Sequence, residues 1–423
     1  MLSLRQARTT AAAAAALPVE TLTLEAAIGR TLARDVAAAF EIPHASTSAM
    51  DGWAVRGPGP WRIVPTSPEH PGEPLPALGP GEAVAVLTGS VIPGDVDSVL
   101  RTEHAHSAAD LPADSPTADD RSGQGLLSAQ PDTPDTQPGR NIRPAGVEAQ
   151  LGDRLLSAGS IITPVRAALL AVAGTDEVDV VRRAGVALVL TGSEVITSGR
   201  PDPGQVRDVF GVALPDMLRE AGAEVIAQER IHDDAQQMDE ALAAASSASR
   251  PADLIIITGG TAHSRADHLR PALHRAGAAT LVDSVEMRPG HPVVLARLPR
   301  GTYVLGLPGN PLAGFAALAA VGHPLLAALH GEAQAEAAEM SAAIAGEDFT
   351  GPRSGERLVP ARQTFSGILA AGHDRAHMMR GIAEADVFAV VPAGGVGAGE
   401  RVDVLPVPGG GAVRGVNARR RTP

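Results

Sequence analysis

The chain has 423 residues, a formal net charge of −13 and no cysteine. This acidic balance, without a basic patch, argues against a nucleic-acid partner. The missing cysteines exclude disulfides, thiolate metal sites and a cysteine nucleophile. The length predicts roughly two to four domains, and their cores must be built mainly from Ala, Val, Leu and Ile because aromatic residues make up only 2% of the chain.

The N-terminal segment carries Arg5 and Arg8 before the alanine run at 11–16. It loosely resembles a signal peptide, but its apolar part is short and no cleavage site follows. An alanine-rich amphipathic helix is the better interpretation. No segment approaches the roughly 18–20 apolar residues of a membrane span, so the sequence predicts a soluble, cytoplasmic protein without a membrane span.

The next segments change composition twice. Residues 22–28 predict a short strand and the start of a helix. Segment 60–100 is dense in Pro and Gly with short Val and Leu runs, which predicts a small β-rich domain. Residues 101–140 are dominated by Pro, Asp, Ser and Thr. They predict either a flexible insert or irregular edge strands, and we expect poor order in part of this segment.

Three continuous apolar runs follow residue 180, at 184–190, 252–257 and 303–307, and each ends in a glycine-containing turn. Helical patterns such as 209–221 and 313–328 accompany them. Strands buried on both faces that alternate with helices are typical of a parallel, doubly wound sheet. Ligands of such sheets bind at the carboxyl ends of the strands, which is where these three turns would lie.

The turns differ in what they indicate. Thr258-Gly-Gly-Thr could cradle a phosphate or oxyanion with backbone N–H groups, but a loop of this kind is more often a plain strand-to-helix turn. Thr191-Gly-Ser-Glu at another strand end favours the anion site, since both turns would converge on one crevice. Pro308-Gly-Asn-Pro by itself indicates a rigid turn, and Met50-Asp-Gly an ordinary one.

After residue 345 the pattern returns to β structure, with runs at 355–362, 387–391 and 401–405. These runs predict a barrel-like domain, followed by a fraying tail from about residue 407. The glycine-rich loop 394–400 lacks a strand–helix context and predicts a hairpin connection. The 13 histidines show no metal-ligand spacing. The residues alone predict a multidomain α/β protein with an anion-binding crevice.

The order of these motifs resembles one known family. Residues 47–55 are similar to its S-x-MDG-[YF]-AV signature, 88–99 to TG-x-x-(L/I)P-x-GADAVV, and 141–146 to NIR-x-x-G. Further family motifs follow in the same order, at 190–195, 204–208, 258–260, 288–292, 306–311 and 377–386. Over about residues 1–405 the chain resembles the family that inserts molybdenum into molybdopterin, the MoeA and gephyrin E-domain family.

The resemblance implies a multidomain α/β plus β fold. An elongated linking domain would comprise residues 1–46 and 140–178, with a β-rich domain inserted at 47–139. Residues 179–330 would form a central doubly wound α/β/α domain of the molybdopterin-binding type. Residues 331–407 would form a C-terminal β-barrel, and 408–423 a flexible tail.

The resemblance also implies a reaction and a partner. Adenylylated molybdopterin and molybdate would be the substrates, Mg²⁺ the cofactor, and molybdenum cofactor and AMP the products. The protein would act as a homodimer whose active site joins the central domain of one subunit to the linking and inserted domains of the other. Glycine turns would hold phosphate, Arg and N–H groups molybdate, and carboxylates the divalent cation.

Carried over residue by residue, the resemblance implies two groups of site residues. Asp51, Glu194, Asp267 and Arg288 would be catalytic, and the three acids among them would hold the metal ion. The substrate would be bound by residues of four turns: Thr191, Gly192 and Ser193; Thr258, Gly259 and Gly260; Pro289, Gly290 and His291; Pro308, Gly309 and Asn310.

The chain departs from the family pattern at several of these positions. Ser193 replaces the first acid of the TGDE turn, while Arg288 and His291 stand where KPGKP has lysines. Residues 261–265 replace the usual VSVGE run before Asp267, residues 207–210 depart from the polar run after GQ, and an ungapped comparison puts Arg166 at another acidic position. Since the chain contains no lysine, Arg288 is readily explained, although an arginine fork is not equivalent to an ammonium point charge.

Two functions fit this pattern. The first is a working or weakened molybdenum insertase, because the motif order is nearly complete. The alternative is a catalytically degenerate, gephyrin-like dimeric scaffold that binds a peptide segment of a partner protein, because the losses concentrate in the central-domain turns. A nucleotide-binding protein that uses only Thr258-Gly-Gly has no support beyond that loop.

Overall fold

A computed structural model describes residues 1–65, 75–107, 125–247, 249–261 and 268–410. The chain divides into two compact units. The β-rich unit comprises Asp35–Ser157 and Pro164–Asp176, and the central unit comprises Met1–Arg34, Ala158–Thr163 and Glu177–Pro423. The predicted four-domain division is finer than these two units, and its boundaries stay a prediction.

A six-stranded sheet dominates the β-rich unit. Alternate residues of its strands pack on opposite faces, with Ala54 and Val84 in one apolar cluster and Val55 and Ala83 in another. The predicted β-rich character of segment 60–100 is confirmed. In spatial order the strands are Ser98–Arg101, Gly52–Arg56, Glu82–Val86, Trp61–Ile63, Leu126–Ala129 and Ala105–Ser107.

Shorter elements complete the β-rich unit. They are the antiparallel pairs Thr47–Ser48 with Ile142–Arg143 and Val36–Ala37 with Arg154–Leu156, the 3₁₀ turns Thr102–His104 and Pro134–Thr136, and the helix Pro164–Val172. The segment predicted to be partly disordered contains residues 108–124, which lie outside the described residues.

A buried carboxylate ties the two 3₁₀ turns to the sheet. Asp135 is fully buried, and its Oδ2 accepts hydrogen bonds from the Arg101 N–H at 3.2 Å, the Arg101 Nε at 3.0 Å and the His104 Nδ1 at 2.8 Å. Burial raises the pKa of Asp135, but the hydrogen bonds from Arg101, Asn141 and His104 outweigh it and hold that pKa at about 2.

A second six-stranded sheet forms the middle of the central unit. Its order is Glu224–Arg230, Gly185–Leu190, Leu254–Thr258, Tyr303–Leu307, Val294–Arg297 and Ala279–Asp283. The first four strands are parallel to one another, as predicted, whereas Val294–Arg297 runs antiparallel to both of its neighbours. Val294–Arg297 is reversed because its connection to Tyr303–Leu307 is too short for a crossover.

Helices cover both faces of this sheet. Phe210–Glu220 and Pro311–Ala317 pack in one apolar core, while Ala235–Ser247 and Leu269–Arg275 pack in a second core against the opposite face. Side chains of one strand alternate between the two cores, as Leu188 and Val189 do. This is the doubly wound arrangement that the apolar runs predict.

Residues Pro311–Leu329 form one continuous helical segment of 19 residues that is long and apolar enough to cross a membrane. The prediction that no segment reaches this length was therefore wrong. Most of the segment is buried inside the central unit, so it is apolar all round because it is a core helix. It comprises Pro311–Ala317, a π-turn at Leu318–Gly322, and His323–Leu329.

The N-terminal helix Leu4–Ala11 packs against this core segment. It begins with a Ser3 capping box, which confirms a helix in the N-terminal segment, and it ends at Ala11, before most of the alanine run. Its Arg8 is buried, and Nη1 donates to the carbonyls of Ala319 and Ala320 at the π-turn, at 3.1 and 3.3 Å. Burial lowers the pKa of Arg8 to about 10.

The C-terminal part of the central unit is β structure around an apolar core that includes Phe349, Val359 and Val402. In order, its strands are Met287–Arg288, Glu356–Thr364, Val387–Pro392, Arg401–Pro406 and Ser341–Ile344, with Gly367–Ala370 beside Glu356–Thr364. Loop 394–400 joins two antiparallel strands, which confirms the predicted hairpin.

The remaining elements of the central unit are short. They are the helices Gln334–Ala338 and Arg380–Ala383, the pair Val19–Thr23 with Glu177–Val181, and the pair Val195–Ile196 with Val206–Arg207. Residues 411–423 of the predicted tail lie outside the described residues.

Candidate active site

Three turns meet at the carboxyl ends of three neighbouring parallel strands, Gly185–Leu190, Leu254–Thr258 and Tyr303–Leu307. The Thr191 hydroxyl donates to the Thr258 carbonyl at 2.6 Å. The Gly259 N–H donates to the Leu307 carbonyl at 2.9 Å. The turns that begin at Thr191, Thr258 and Pro308 are therefore hydrogen-bonded into one edge, as the sequence predicts.

Glycine is required where these turns touch. Gly259 and Gly260 have φ angles of +83° and +63°, in the left-handed region that L-residues avoid. A Cβ atom on Gly259 would lie 2.6 Å from Thr191 Oγ1, and one on Gly309 would lie 3.5 Å from the Gly259 Cα. The glycines therefore let the backbones of these turns approach one another closely along this edge.

A helix begins at the third turn. Asn310 occupies the N-cap position of Pro311–Ala317 and Pro311 the first helical position. Gly309 and Asn310 are exposed, whereas Pro308 is buried. The positive end of a buried helical segment thus opens at the same edge as the glycine turns, an arrangement that favours an anionic ligand.

The first turn brings in a carboxylate that sequence reasoning missed. The Ser193 N–H donates to Asp233 Oδ2 at 3.0 Å, and the Asp233 N–H donates to Ser193 Oγ at 3.4 Å. Asp233 follows the parallel strand Glu224–Arg230, so its position after a strand end was the signal that could have identified it. Ser193 and Glu194 are exposed beside it.

The segment from Arg288 to His291 packs on the helix that starts at Pro311. Gly290 has a φ of +103°, and a Cβ there would lie 3.2 Å from the Ala313 carbonyl oxygen. Arg288 is exposed, and the peptide bond between Arg288 and Pro289 is cis. These contacts place the cationic Arg288 segment against the first turn of that helix.

His291 is held in a defined orientation. Its Nδ1 lies 2.8 Å from the Val285 carbonyl oxygen, which can only accept, so Nδ1 carries a proton. In the neutral ring Nε2 is then a hydrogen-bond acceptor. His291 therefore does not reproduce a lysine, which carries only donors.

Asp51 lies in the β-rich unit, so the central unit by itself does not contain it. Its Oδ1 accepts the Thr88 N–H at 2.6 Å and the Thr88 hydroxyl at 2.9 Å. The backbone N–H and then the hydroxyl of Thr88 lower the pKa of Asp51, which keeps it ionised. Thr88 belongs to a motif that the sequence singled out, but its role as the partner of Asp51 was not predicted.

The structure assigns neither of two further predicted positions to this edge. Asp267 lies outside the described residues. Arg166 is exposed on the helix Pro164–Val172 of the β-rich unit. Within the described ranges, no three His, Asp or Glu side chains are close enough together to hold a metal ion.

Three family profiles match the chain in succession. The MoeA N-terminal region (domain I and II) matches residues 2–174, a probable molybdopterin binding domain 187–328, and the MoeA C-terminal region (domain IV) 342–407. The molybdopterin molybdenumtransferase of Bacillus subtilis is 30% identical over 404 residues, which cover 91% of this chain and 89% of that protein. The chain belongs to the molybdopterin molybdenumtransferase (MoeA) family.

Another family member, the molybdopterin molybdenumtransferase of Haemophilus influenzae, is 29% identical over 422 residues, with 96% of this chain and 98% of that protein covered. Two solved MoeA structures from Pyrococcus horikoshii superpose with TM-scores of 0.74 and 0.72 at 21% and 23% identity. They cover 96% and 97% of this chain and all of theirs, and they show the fold. The relatives carry a transferase name, so the scaffold alternative is not favoured.

Proposed function

We propose that this protein is a molybdenum cofactor biosynthesis enzyme that transfers molybdenum from molybdate to adenylylated molybdopterin and releases AMP. The observation that carries the proposal is the convergence of the three turns, within a chain that matches molybdopterin molybdenumtransferases over nearly its whole length. Both substrates are anions, and the turns offer N–H groups, a helix N-terminus and a nearby arginine.

The turn residues act by binding and orientation. Gly259 and Gly260 let the backbone approach the phosphate groups of the substrate, and the helix that begins at Pro311 contributes its positive end. Arg288 is exposed and supplies a permanent positive charge for the oxyanion. Binding two anions at one edge removes much of the entropic cost of bringing the reactants together.

The carboxylates present are Glu194 and Asp233 at the turn and Asp51 beside Thr88. Because the described part of the chain holds no cluster of three such groups, these side chains do not by themselves form a Mg²⁺ site. We expect a Mg²⁺ ion, where the reaction uses one, to take most of its ligands from phosphate oxygens and water. No step of the reaction is assigned to it.

The substitutions at Ser193 and His291 alter the site without removing its anion-binding parts. Asp233 places a carboxylate within hydrogen-bond distance of Ser193, next to where the family motif has its first acid. We therefore expect a working enzyme with reduced turnover. A homodimer and a cytoplasmic location are further parts of the proposal, supported by the family resemblance.

A complementation experiment tests the function. The gene would be expressed in a bacterial strain that lacks its own molybdopterin molybdenumtransferase, and nitrate reductase, a molybdoenzyme, would be assayed. We expect activity to return with the wild-type chain and to fall with Glu194→Gln. Failure to restore activity, in cells where the Bacillus subtilis relative restores it and this chain is present at equal amounts, would contradict the proposal.

A further inference from the structure

Arg270 contacts both a neighbouring strand and the turn that begins at Thr258. It is the second residue of the helix Leu269–Arg275, and its side chain is largely buried. Nε and Nη2 donate to Asp283 Oδ1 at 2.9 and 2.8 Å, and Nη1 donates to the Thr261 carbonyl. The guanidinium thus joins the strand Ala279–Asp283 to the end of the Thr258 turn.

Helix formation does not explain an arginine at this position. A positive charge in the first turn of a helix is disfavoured by the aligned backbone dipoles. Asp283 offsets part of that cost, but its side chain is 53% exposed, so the ion pair contributes little stability by itself. An arginine fork can donate to the Thr261 carbonyl and to Asp283 at the same time, which a lysine at this position could not match in geometry.

Thr261 also packs closely against the central sheet. It is buried, and its Cγ2 lies 3.0 Å from the place where a Cβ on Gly306 would be. Gly306 belongs to the central strand Tyr303–Leu307. Arg270 therefore contacts Thr261, the last described residue after Gly259 and Gly260, from the polar side, while the Thr261 methyl group packs beside Gly306.

We propose that Arg270 is a positioning residue for molybdenum transfer, acting through the Thr261 carbonyl to fix the Thr258–Gly259–Gly260 backbone. This inference rests on the proposed function for its kinetic consequence. Its structural consequence, that the turn loses order when Arg270 is removed, is independent of the proposed function.

The experiment compares a variant on each side of the ion pair between Arg270 and Asp283. Asp283→Asn weakens the ion pair but leaves Arg270 able to donate to Thr261, whereas Arg270→Gln loses both the charge and the fork. We expect kcat to fall roughly tenfold to a hundredfold in Arg270→Gln, in keeping with a slightly misplaced binding loop, and to change less than threefold in Asp283→Asn. Arg270→Lys, which keeps the charge without the fork, should resemble Arg270→Gln.

Hydrogen exchange of the full-length protein, read by mass spectrometry, supplies a readout that does not depend on activity. Amides of the peptide that covers Leu254–Thr258 and the following turn should exchange faster in Arg270→Gln, and their exchange rates should be unchanged in Asp283→Asn. Equal effects of the two variants on exchange and kcat, or no effect of Arg270→Gln, would overturn the inference. An inactive wild type would contradict the proposed function, while the exchange comparison would still decide the role of Arg270.

Discussion

Replacing Gly259 with alanine should strain the turn edge in two separable ways. An alanine at φ +83° costs about 1–2 kcal/mol for the left-handed backbone. Its Cβ would also lie 2.6 Å from Thr191 Oγ1, which is closer than such atoms can approach. Shifting Thr191 to relieve this contact should add about 1–3 kcal/mol. Gly259→Ala is thus expected to destabilise the central unit by roughly 2–5 kcal/mol and to lower turnover.

Gly260 provides a matched control in the same turn. Its φ of +63° carries the same backbone penalty, but the nearest atom to a new Cβ is the His268 N at 3.9 Å. Gly260→Ala should therefore cost only about 1–2 kcal/mol. Thr191→Ala removes the clashing oxygen, at the loss of a hydrogen bond to Thr258 that is worth about 1 kcal/mol.

Urea unfolding followed by far-ultraviolet circular dichroism would compare the four variants, including the double variant Thr191→Ala/Gly259→Ala. We expect the double variant to be more stable than the sum of the two single changes predicts, because the clash is gone. Equal losses for Gly259→Ala and Gly260→Ala, together with strict additivity in the double variant, would refute the assigned contact between the turns.

Three further predictions concern charged groups. Asp135→Asn should destabilise the β-rich unit by roughly 2–4 kcal/mol because Arg101 loses a buried partner. The pKa of Asp135 is about 2 against an ordinary 3.8, so its contribution to stability should be present above pH 3.8 and disappear as the pH falls through 2. Acid unfolding of the wild type and the variant measures this difference. Burial, with Arg30 and Arg183, lowers the pKa of His330 from 6.5 to about 4. The unfolded chain therefore takes up the proton first, and the stability of the fold should decrease by about 3 kcal/mol as the pH drops from 6.5 to 4. His330→Gln, which can still accept the Ala184 N–H, should show a smaller pH dependence in thermal unfolding. Arg288→Ala should raise the KM for molybdate roughly tenfold and Arg288→Lys much less, because the charge supplies most of the interaction; equal KM values in steady-state kinetics would contradict this.

Much of the central sheet could be predicted because its strands are buried on both faces. The run at 303–307 agrees with the strand Tyr303–Leu307 at both ends, and 184–190 differs from Gly185–Leu190 by one residue. Continuous apolar runs leave a strand little freedom, and glycine turns mark where each one ends. The convergence of the three turns followed from this pattern and the parallel order.

The last two strands of the central sheet were harder to predict from the sequence. Ala279–Asp283 is mostly exposed, and Val294–Arg297 ends in an exposed arginine. The edge strand Ala279–Asp283 therefore lacks a continuous apolar signal, and the reversal of Val294–Arg297 depends on the length of a connection rather than on periodicity. The helical pattern at 313–328, by contrast, agrees with the buried segment Pro311–Leu329 to within two residues at each end.

The candidate site residues also divide into those that a local sequence pattern predicts and those that only the fold brings together. Motif positions such as Thr191 and Thr258 were predicted because they follow strong strands. Asp233 and Thr88 were missed as site residues because their importance lies in contacts with Ser193 and Asp51, distant in sequence. Such contacts depend on strand order and loop conformation, which no short pattern specifies.

The most direct test of the account is molybdate-dependent release of AMP by the purified protein. Adenylylated molybdopterin and Mg²⁺ would be supplied with and without molybdate, and AMP would be measured by chromatography alongside active cofactor, read out by reconstitution of an apo-molybdoenzyme. We expect AMP and active cofactor in equal amounts, both dependent on molybdate and both reduced in Glu194→Gln. A folded protein that releases no AMP, beside an active family member under the same conditions, would contradict it.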